Sequence, residues 1–117
     1  MKEERDLRER TKQFAKCIIR LFVALPKNTV AQVLGKQVLR SGTSVGANYR
    51  EANRARSRAE FISKTGDCLR EADETTYWLE LLSDEEFLPS ARMQPLLAEA
   101  DELVAIFASI VKKSRGD

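Results

Sequence analysis

The feature that most constrains the fold is a line of apolar and small residues recurring at intervals of three and four through the middle of the chain. The line keeps its phase without a break, and its members are Val30, Leu34, Val38, Ser41, Val45, Asn48 and Ala52. Such intervals place residues on one face of an α-helix, whereas strands alternate with a period of two. Residues 40–52, whose small polar residues would otherwise suggest a loop, are therefore predicted to be helical.

Three further segments show the same periodicity, and together they predict an all-α protein. Pro26 ends the first segment, and Asn28 is a suitable N-cap for the second. Ser57 and Glu60 form a capping box before the third segment, and Pro89 precedes the last. The predicted helices cover residues 6–25, 29–55, 58–83 and 91–113.

Short connections between four helices predict an antiparallel up-down four-helix bundle, formed by residues 1–117 as a single domain. The first, third and last helices each carry more apolar positions than one such core needs, which predicts a homo-oligomer. No apolar run is long enough to span a bilayer, and the charged first ten residues do not form a signal peptide. We therefore expect a cytoplasmic protein without a membrane partner.

The residue types present argue against an enzyme. The chain has no histidine, which removes Ser/His and Cys/His nucleophile systems and imidazole metal sites. Cys17 and Cys68 form no CxxC pair and are expected to be reduced and packed. Carboxylates at 67, 71 and 74 and at 84–86 lack the spacing of a cation-binding loop and are expected to be solvated. We expect no catalytic residue, metal or cofactor.

Charge is distributed unevenly along the chain. Residues 1–58 contain 14 Lys and Arg against 5 Asp and Glu, a net charge of +9. Residues 59–117 contain 6 against 13, a net charge of −7. This asymmetry predicts charge pairing within or between subunits, and the alternative is a basic surface for nucleic acid.

Gly35, Gly42 and Gly46 follow a line next to the apolar line of the second helix. Each glycine costs a helix about 1 kcal/mol relative to alanine. We expect the close approach of another backbone to compensate for this cost.

If the turn between the middle helices lies near residues 56–57, antiparallel partners have numbers that sum to about 114. Arg40 then faces Glu74, Ser44 faces Arg70, and Asn48 faces Gly66. We interpret Arg40 and Glu74 as a buried pair that fixes the register of the two helices. The alternative is an enzyme that uses the Arg40/Glu74 pocket.

Arg50, Arg54 and Arg58 repeat at intervals of four, with Tyr49 beside them and Arg56 near the turn. A basic stripe with an aromatic side chain could follow a nucleic-acid backbone. These four arginines are the candidate nucleic-acid contacts, and the alternative is a solvated face.

The central part of the chain resembles a known protein family through a long spaced pattern. The pattern is Q-x-x-R-[SA]-x-x-S-x-x-x-N-x-x-E-[AG], followed by a phenylalanine and an E-T-x-x-W/H-L segment. Its matches are Gln37, Arg40, Ser41, Ser44, Asn48, Glu51, Ala52, Phe61, Glu74, Thr75, Trp78 and Leu79. By this pattern the chain, from Phe14 to Val111, resembles the bacterial four-helix bundle family. Because its members are encoded within large-subunit ribosomal RNA genes, it is also called the intervening-sequence protein family.

The resemblance implies a ring-like homopentamer and no known catalytic residues. It also implies kinship with the accessory subunits of diversity-generating retroelement reverse transcriptases, which are basic bundles that bind nucleic acid and the polymerase. The predicted function is thus a non-enzymatic interaction or scaffold module that contacts RNA or DNA through basic faces. The alternative is an adaptor for a protein partner, such as a reverse transcriptase, with no nucleic-acid role. Gln37, Arg40, Ser44, Asn48, Glu51 and Glu74 are expected to be structural polar residues that fix helix register or the subunit interface.

Overall fold

Four helices account for almost the whole chain in the computed structural model, which describes the backbone of residues 2–116 and the side chains of residues 6–116. The helices are α1 (Lys2–Ala24), α2 (Thr29–Asn53), α3 (Arg58–Asp84) and α4 (Ser90–Ser114). The predicted boundaries agree to within two residues, except that α1 begins four residues earlier than predicted. Met1 and Asp117, the ends of the predicted domain, lie outside the described residues.

Two of the helices begin at the predicted caps. The Asn28 side chain accepts a hydrogen bond from the Ala31 backbone N–H at 2.9 Å, and Ser57 accepts one from the Glu60 N–H at 3.1 Å. Only this half of the capping box forms, since the Glu60 carboxylate accepts from the backbone N–H of Arg56 at 3.3 Å instead of from Ser57. These caps satisfy amide groups that have no partner within the helix, and so they fix where the helices start.

The helices run up and down, and each packs along its length against the next one in sequence. In contrast, α1 and α4 contact each other at only a few points. The described residues include no strand. The predicted all-α four-helix architecture is therefore confirmed. None of the described helices has the length and mean hydropathy needed to cross a bilayer.

The core contains apolar residues that recur at intervals of three and four on α1, α3 and α4, such as Phe14, Leu79 and Leu103. The line predicted for α2 is rotated toward α1, because α2 packs between α1 and α3 and buries a broader face. Ala31, Gly35 and Tyr49 are buried, whereas Val30 is exposed and Asn48 is only half-buried. The periodicity of α2 identified a helix correctly, and Val38, Ser41, Val45 and Ala52 of the predicted line are buried, but the buried face is broader than that line.

The glycines of α2 allow α1 to approach closely, as the sequence predicts. A Cβ atom built on Gly46 would lie 3.1 Å from Thr11 Oγ1 and 3.6 Å from the Thr11 carbonyl carbon. At Gly42 it would lie 2.8 Å from Ile18 Cγ1. The side chains and backbone of α1 therefore occupy the space that larger residues on α2 would need.

The apolar positions beyond the core agree with the prediction on α1 and α3 but not on α4, and α2 contributes others that were not predicted. The extra residues of α4, such as Leu97 and Val104, pack half-buried against the core of the same subunit. The exposed large hydrophobic residues of the described chain are instead Ile19, Val23, Val30, Val33 and Tyr77. They extend from the middle of the bundle to the end that holds the α1–α2 connection, and we call them the apolar set.

Candidate functional site

Arg40 bridges α2 and α3, as the sequence predicts. Its guanidinium contacts the carboxylate of Glu74 and lies 3.3 Å from that of Glu71. The Glu74 carboxylate also accepts a hydrogen bond from the indole N–H of Trp78 at 2.9 Å, and the Trp78 ring lies 5.1 Å from the ring of Tyr77. Glu74 therefore holds both an arginine of the facing helix and a tryptophan one turn along its own helix.

The pair is not buried, and this part of the prediction is wrong. The Arg40 side chain is 49% exposed and that of Glu74 is 34% exposed, while Glu71 is 14% exposed. The guanidinium lies over the outer edge of the α2–α3 interface, where solvent screens it. A pair in such a position contributes at most about 1 kcal/mol to stability.

The buried polar contact between the two helices involves Ser41 and Thr75 instead. Their hydroxyl oxygens are 2.8 Å apart and fully buried. Thr75 donates its single hydroxyl proton to the Glu71 carbonyl at 2.7 Å, so the Ser41 hydroxyl donates to Thr75. This contact lies inside the seam, and it aligns the middle of α2 with the middle of α3.

The other polar residues of the family pattern are mostly engaged within the α2–α3 pair. The Glu51 carboxylate forms an ion pair with the Lys64 ammonium group of α3 at 2.8 Å, and this pair raises the pKa of Lys64. Ser44 donates to the Arg40 carbonyl of its own helix at 2.6 Å. The remaining pattern residues, Gln37 and Asn48, are half-buried on the same side of α2.

Ser44 and Arg70, which the predicted register places opposite each other, each form their contacts within their own helix. Arg70 pairs with Asp67 of its own helix at 2.9 Å rather than meeting Ser44. A Cβ atom built on Gly66, the residue opposite Asn48 in the predicted register, would meet no atom within 4 Å outside its own helix.

The candidate nucleic-acid arginines Arg50, Arg54, Arg56 and Arg58 are all exposed. They do not form one helical stripe, because α2 ends at Asn53 and the turn redirects the chain. Arg58 reaches across to α4, where it donates to the Ser114 carbonyl at 2.9 Å from Nε. The other three have no carboxylate within ion-pair distance among the described side chains.

Tyr49 is not a stacking platform beside these arginines, contrary to the prediction. It is 4% exposed, and its ring meets that of Phe107 edge-on at 5.7 Å between centroids. Because the ring belongs to the core, it offers no face to a nucleobase.

Two further basic residues, Arg8 and Lys12, lie beside Arg50 and were not singled out from the sequence. All three line a cleft of about 290 Å³ between α1 and α2, together with Thr43, Gly46 and other small residues. Arg8 and Lys12 are exposed and, like Arg50, have no carboxylate within ion-pair distance among the described side chains. Their spacing of four on the side of α1 that faces α2 is the signal that could have identified them. We call six of the exposed cations in this half of the bundle, Arg8, Lys12, Arg50, Arg54, Arg56 and Arg58, the basic end.

Charge pairing between the basic first half and the acidic second half of the sequence occurs between α1 and α4. Arg10 of α1 donates to Glu99 and Glu102 of α4 at 2.7 and 2.9 Å, and these hydrogen bonds raise the pKa of Arg10. Next to this contact, a largely apolar groove of about 610 Å³ separates α1 from α4, with Phe14 and Leu96 among its lining residues. The contact therefore closes one part of an interface that is otherwise open.

The cysteines and acidic residues do not form a chemical site in the described part of the chain. Both cysteines are free, and burial raises the pKa of the Cys68 thiol to about 12, which keeps it protonated and unreactive. The residues that the structure describes include no group of three or more cysteines and carboxylates able to hold a metal ion.

The fold and these surfaces define a class of protein, an antiparallel four-helix bundle with a polar α2–α3 seam and an exposed basic end. The family model described as "23S rRNA-intervening sequence protein" matches residues 3–109, and the chain belongs to this family. It is also similar to a crystal structure described as a protein with unknown function from the S23 ribosomal protein family of Bacteroides thetaiotaomicron VPI-5482. That similarity has 41% sequence identity and a TM-score of 0.83, over 90% of this chain and 97% of the other. No curated protein matches the chain.

Proposed function

We propose that this protein is a non-enzymatic, self-associating module that holds nucleic acid against the basic end of its bundle. The observation that carries the proposal is the set of six exposed cations at that end, none of which has a carboxylate partner among the described side chains. A phosphate backbone is the ligand that such a surface fits best, because it neutralises several cations at once and releases counterions.

The Arg40 cluster supports a structural role better than a catalytic one. Its carboxylates are already engaged by Arg40 and Trp78, and it lies at the exposed edge of the seam. A general acid or base needs a free group within reach of a substrate. The enzyme alternative therefore has no observation in its favour.

The test is binding of a fluorescein-labelled, single-stranded 20-nucleotide RNA of mixed sequence, followed by fluorescence anisotropy at 50–300 mM salt. We expect affinity to fall steeply with salt. Replacing Arg50, Arg54, Arg56 and Arg58 together by alanine should weaken binding at least tenfold and flatten the salt dependence.

The matched control removes four positive charges from other surfaces of the bundle, by replacing Arg20, Lys27, Lys36 and Arg92 with alanine. All four side chains are exposed, and both variants have the same net charge. The control should bind almost as tightly as the wild type. If both variants lose the same amount of affinity, the effect depends only on net charge and not on the basic end. A wild type that binds neither RNA nor the corresponding DNA would refute the proposal.

Self-association is supported by the apolar set at the other end. Val23 is 68% exposed, and Val30 and Val33 are each 55% exposed, which is costly for aliphatic side chains on an isolated bundle. We expect sedimentation velocity to give an oligomer, with the pentamer implied by the family resemblance as the specific expectation. A Val23→Glu/Val33→Glu variant should dissociate into monomers. The control variant Ala98→Glu/Ala105→Glu, on exposed sites of α4, should remain an oligomer. A monomeric wild type would contradict this part of the proposal.

The second candidate function is an adaptor that binds a protein partner and no nucleic acid. The same apolar set and the open α1–α4 groove favour it, since both could receive an amphipathic segment. A reverse transcriptase is the partner implied by the resemblance. A wild type that binds no nucleic acid but forms a defined complex with a protein through the apolar set would support this candidate, and a cytoplasmic location is expected for either function.

A further inference from the structure

The cleft between α1 and α2 contains an unusual concentration of unmatched charge. Arg8 and Lys12 are separated by one helical turn, about 6 Å along α1, and Arg50 reaches the same cleft from α2. Like charges at this spacing destabilise a helix. Arg10, Arg40 and Lys64 each contact a carboxylate, whereas no described carboxylate lies within ion-pair distance of the three cations that meet at this cleft.

The hydrogen-bonding groups of the cleft suit an anion. The hydroxyls of Thr11 and Thr43 donate to carbonyls of their own helices, each at 2.7 Å, so their protons are already engaged. The remaining side-chain donors among its lining residues belong to Arg8, Lys12 and Arg50, which present only donors. A ligand that satisfies them must therefore be rich in acceptors and negatively charged.

The shape of the cleft suits one strand of a polymer. Its floor is formed by small residues, because Gly46 carries no side chain and Ala15 and Ala47 carry only a methyl group. Its volume of about 290 Å³ is far too small for a duplex, but it can receive the phosphate edge of a single strand. The small floor lets the strand approach while the cations remain at the rim.

We infer that this cleft binds the phosphodiester backbone of a single nucleic-acid strand, with Arg8 and Lys12 of α1 as contacts in addition to Arg50. The inference rests on the proposed function and assigns the strand to the α1–α2 side of the basic end. Arg58, which is engaged by the Ser114 carbonyl on the α4 side, lies away from this path.

The test compares two double variants that leave the turn arginines intact and remove equal charge. Arg8→Ala/Lys12→Ala should weaken binding of the labelled RNA at least tenfold. It should also lower the slope of log affinity against log salt by about 1.4, which is the contribution of two neutralised phosphates on a single strand. Lys27→Ala/Lys36→Ala should change affinity less than threefold.

A second variant adds repulsion without removing a cation. Ala47→Glu places a carboxylate at the cleft and should weaken binding at least tenfold, whereas Ala108→Glu on an exposed site of α4 should have little effect. Circular dichroism spectra identical to that of the wild type would show that the variants are folded.

Competition by tripolyphosphate at millimolar concentration, but not by inorganic phosphate, would indicate a site for linked phosphates. Equal competition by the two anions would indicate a general anion site and overturn the assignment to a strand.

The outcomes separate the two proposals. If Arg8→Ala/Lys12→Ala and Ala47→Glu bind like their controls while Arg54→Ala/Arg56→Ala loses binding, the cleft assignment is wrong and the basic end still binds nucleic acid. If the wild type binds no nucleic acid, the proposed function fails and the cleft assignment fails with it.

Discussion

The same glycine-to-alanine change should have opposite effects on stability at two helical positions, Gly42 and Gly66. Both glycines lie within long helices, so alanine contributes the same gain of about 1 kcal/mol in helix propensity at each. At Gly66 no atom lies within 4 Å of the new methyl group. Gly66→Ala is therefore expected to stabilise the protein by about 1 kcal/mol.

At Gly42 the new methyl group would lie 2.8 Å from Cγ1 and 3.0 Å from Cγ2 of Ile18. Carbon atoms pack best at about 3.5–4.0 Å, so the side chain or α1 would have to move by more than half an ångström. Ile18 is fully buried and β-branched, which leaves it no alternative rotamer that removes both contacts. Overpacking of this kind costs about 1–3 kcal/mol, so Gly42→Ala should destabilise the protein by up to about 2 kcal/mol after the propensity gain.

Equilibrium unfolding in urea, followed by circular dichroism at one protein concentration, measures both changes. The difference between the two variants cancels the propensity contribution and isolates the packing cost, with an expected value of about 1–3 kcal/mol. A fixed concentration is needed because self-association would make stability depend on it. If Gly42→Ala stabilises the protein as much as Gly66→Ala does, α1 does not approach α2 as closely as described, and the packing argument for the glycines fails.

Three further predictions follow from single contacts. Arg40→Ala should cost about 1 kcal/mol or less in urea unfolding because the pair is exposed, and a loss of 3 kcal/mol or more would show that it is buried, for example in an oligomer. Thr75→Val leaves the buried Ser41 hydroxyl without its acceptor and should lower the free energy of unfolding by about 1–2 kcal/mol. Adding Ser41→Ala should recover part of that loss. If the losses of the two substitutions simply add in this double-mutant cycle, the hydrogen bond is excluded. Burial raises the pKa of the Cys68 thiol from 9.0 to about 12. In the folded protein this thiol should therefore stay almost unlabelled by a disulfide reagent between pH 7 and 9, and it should react fully in urea. Rapid labelling of both Cys17 and Cys68 in the folded protein would contradict that burial.

The sequence predicts the helices of this protein well because the decisive signals are local. Pro26, Asn28 and Ser57 each determine a boundary through groups within a few residues of it. The spacing of three and four on α3 likewise depends only on which residues face the partner helices. Register was also predictable, since one turn length between α2 and α3 brings Arg40 opposite Glu74.

The burial of each side chain could not be predicted in the same way, because it depends on how each helix is rotated about its own axis. Ser41, which is fully buried, and Arg40, which is half exposed, are consecutive residues of α2, about 100° apart around its axis. The same rotation places Tyr49 in the core rather than beside the arginines. The α1–α2 cleft was not predicted either, because recognising it requires the register of α1 against α2 in addition to the spacing of Arg8 and Lys12, and Arg50 lies about 40 positions away.

The residues that carry the family resemblance are largely engaged in holding α2 against α3. Ser41 binds Thr75, Arg40 and Trp78 both bind Glu74, and these contacts maintain one register of one helix pair. Polar groups satisfied within the subunit are not available to a ligand. A chain that shares this pattern is therefore expected to share the fold, whereas a shared fold does not by itself determine function. Under the proposed function, substitutions at the basic end and in the apolar set should alter binding without unfolding the bundle, while substitutions at Ser41 or Thr75 should do the reverse.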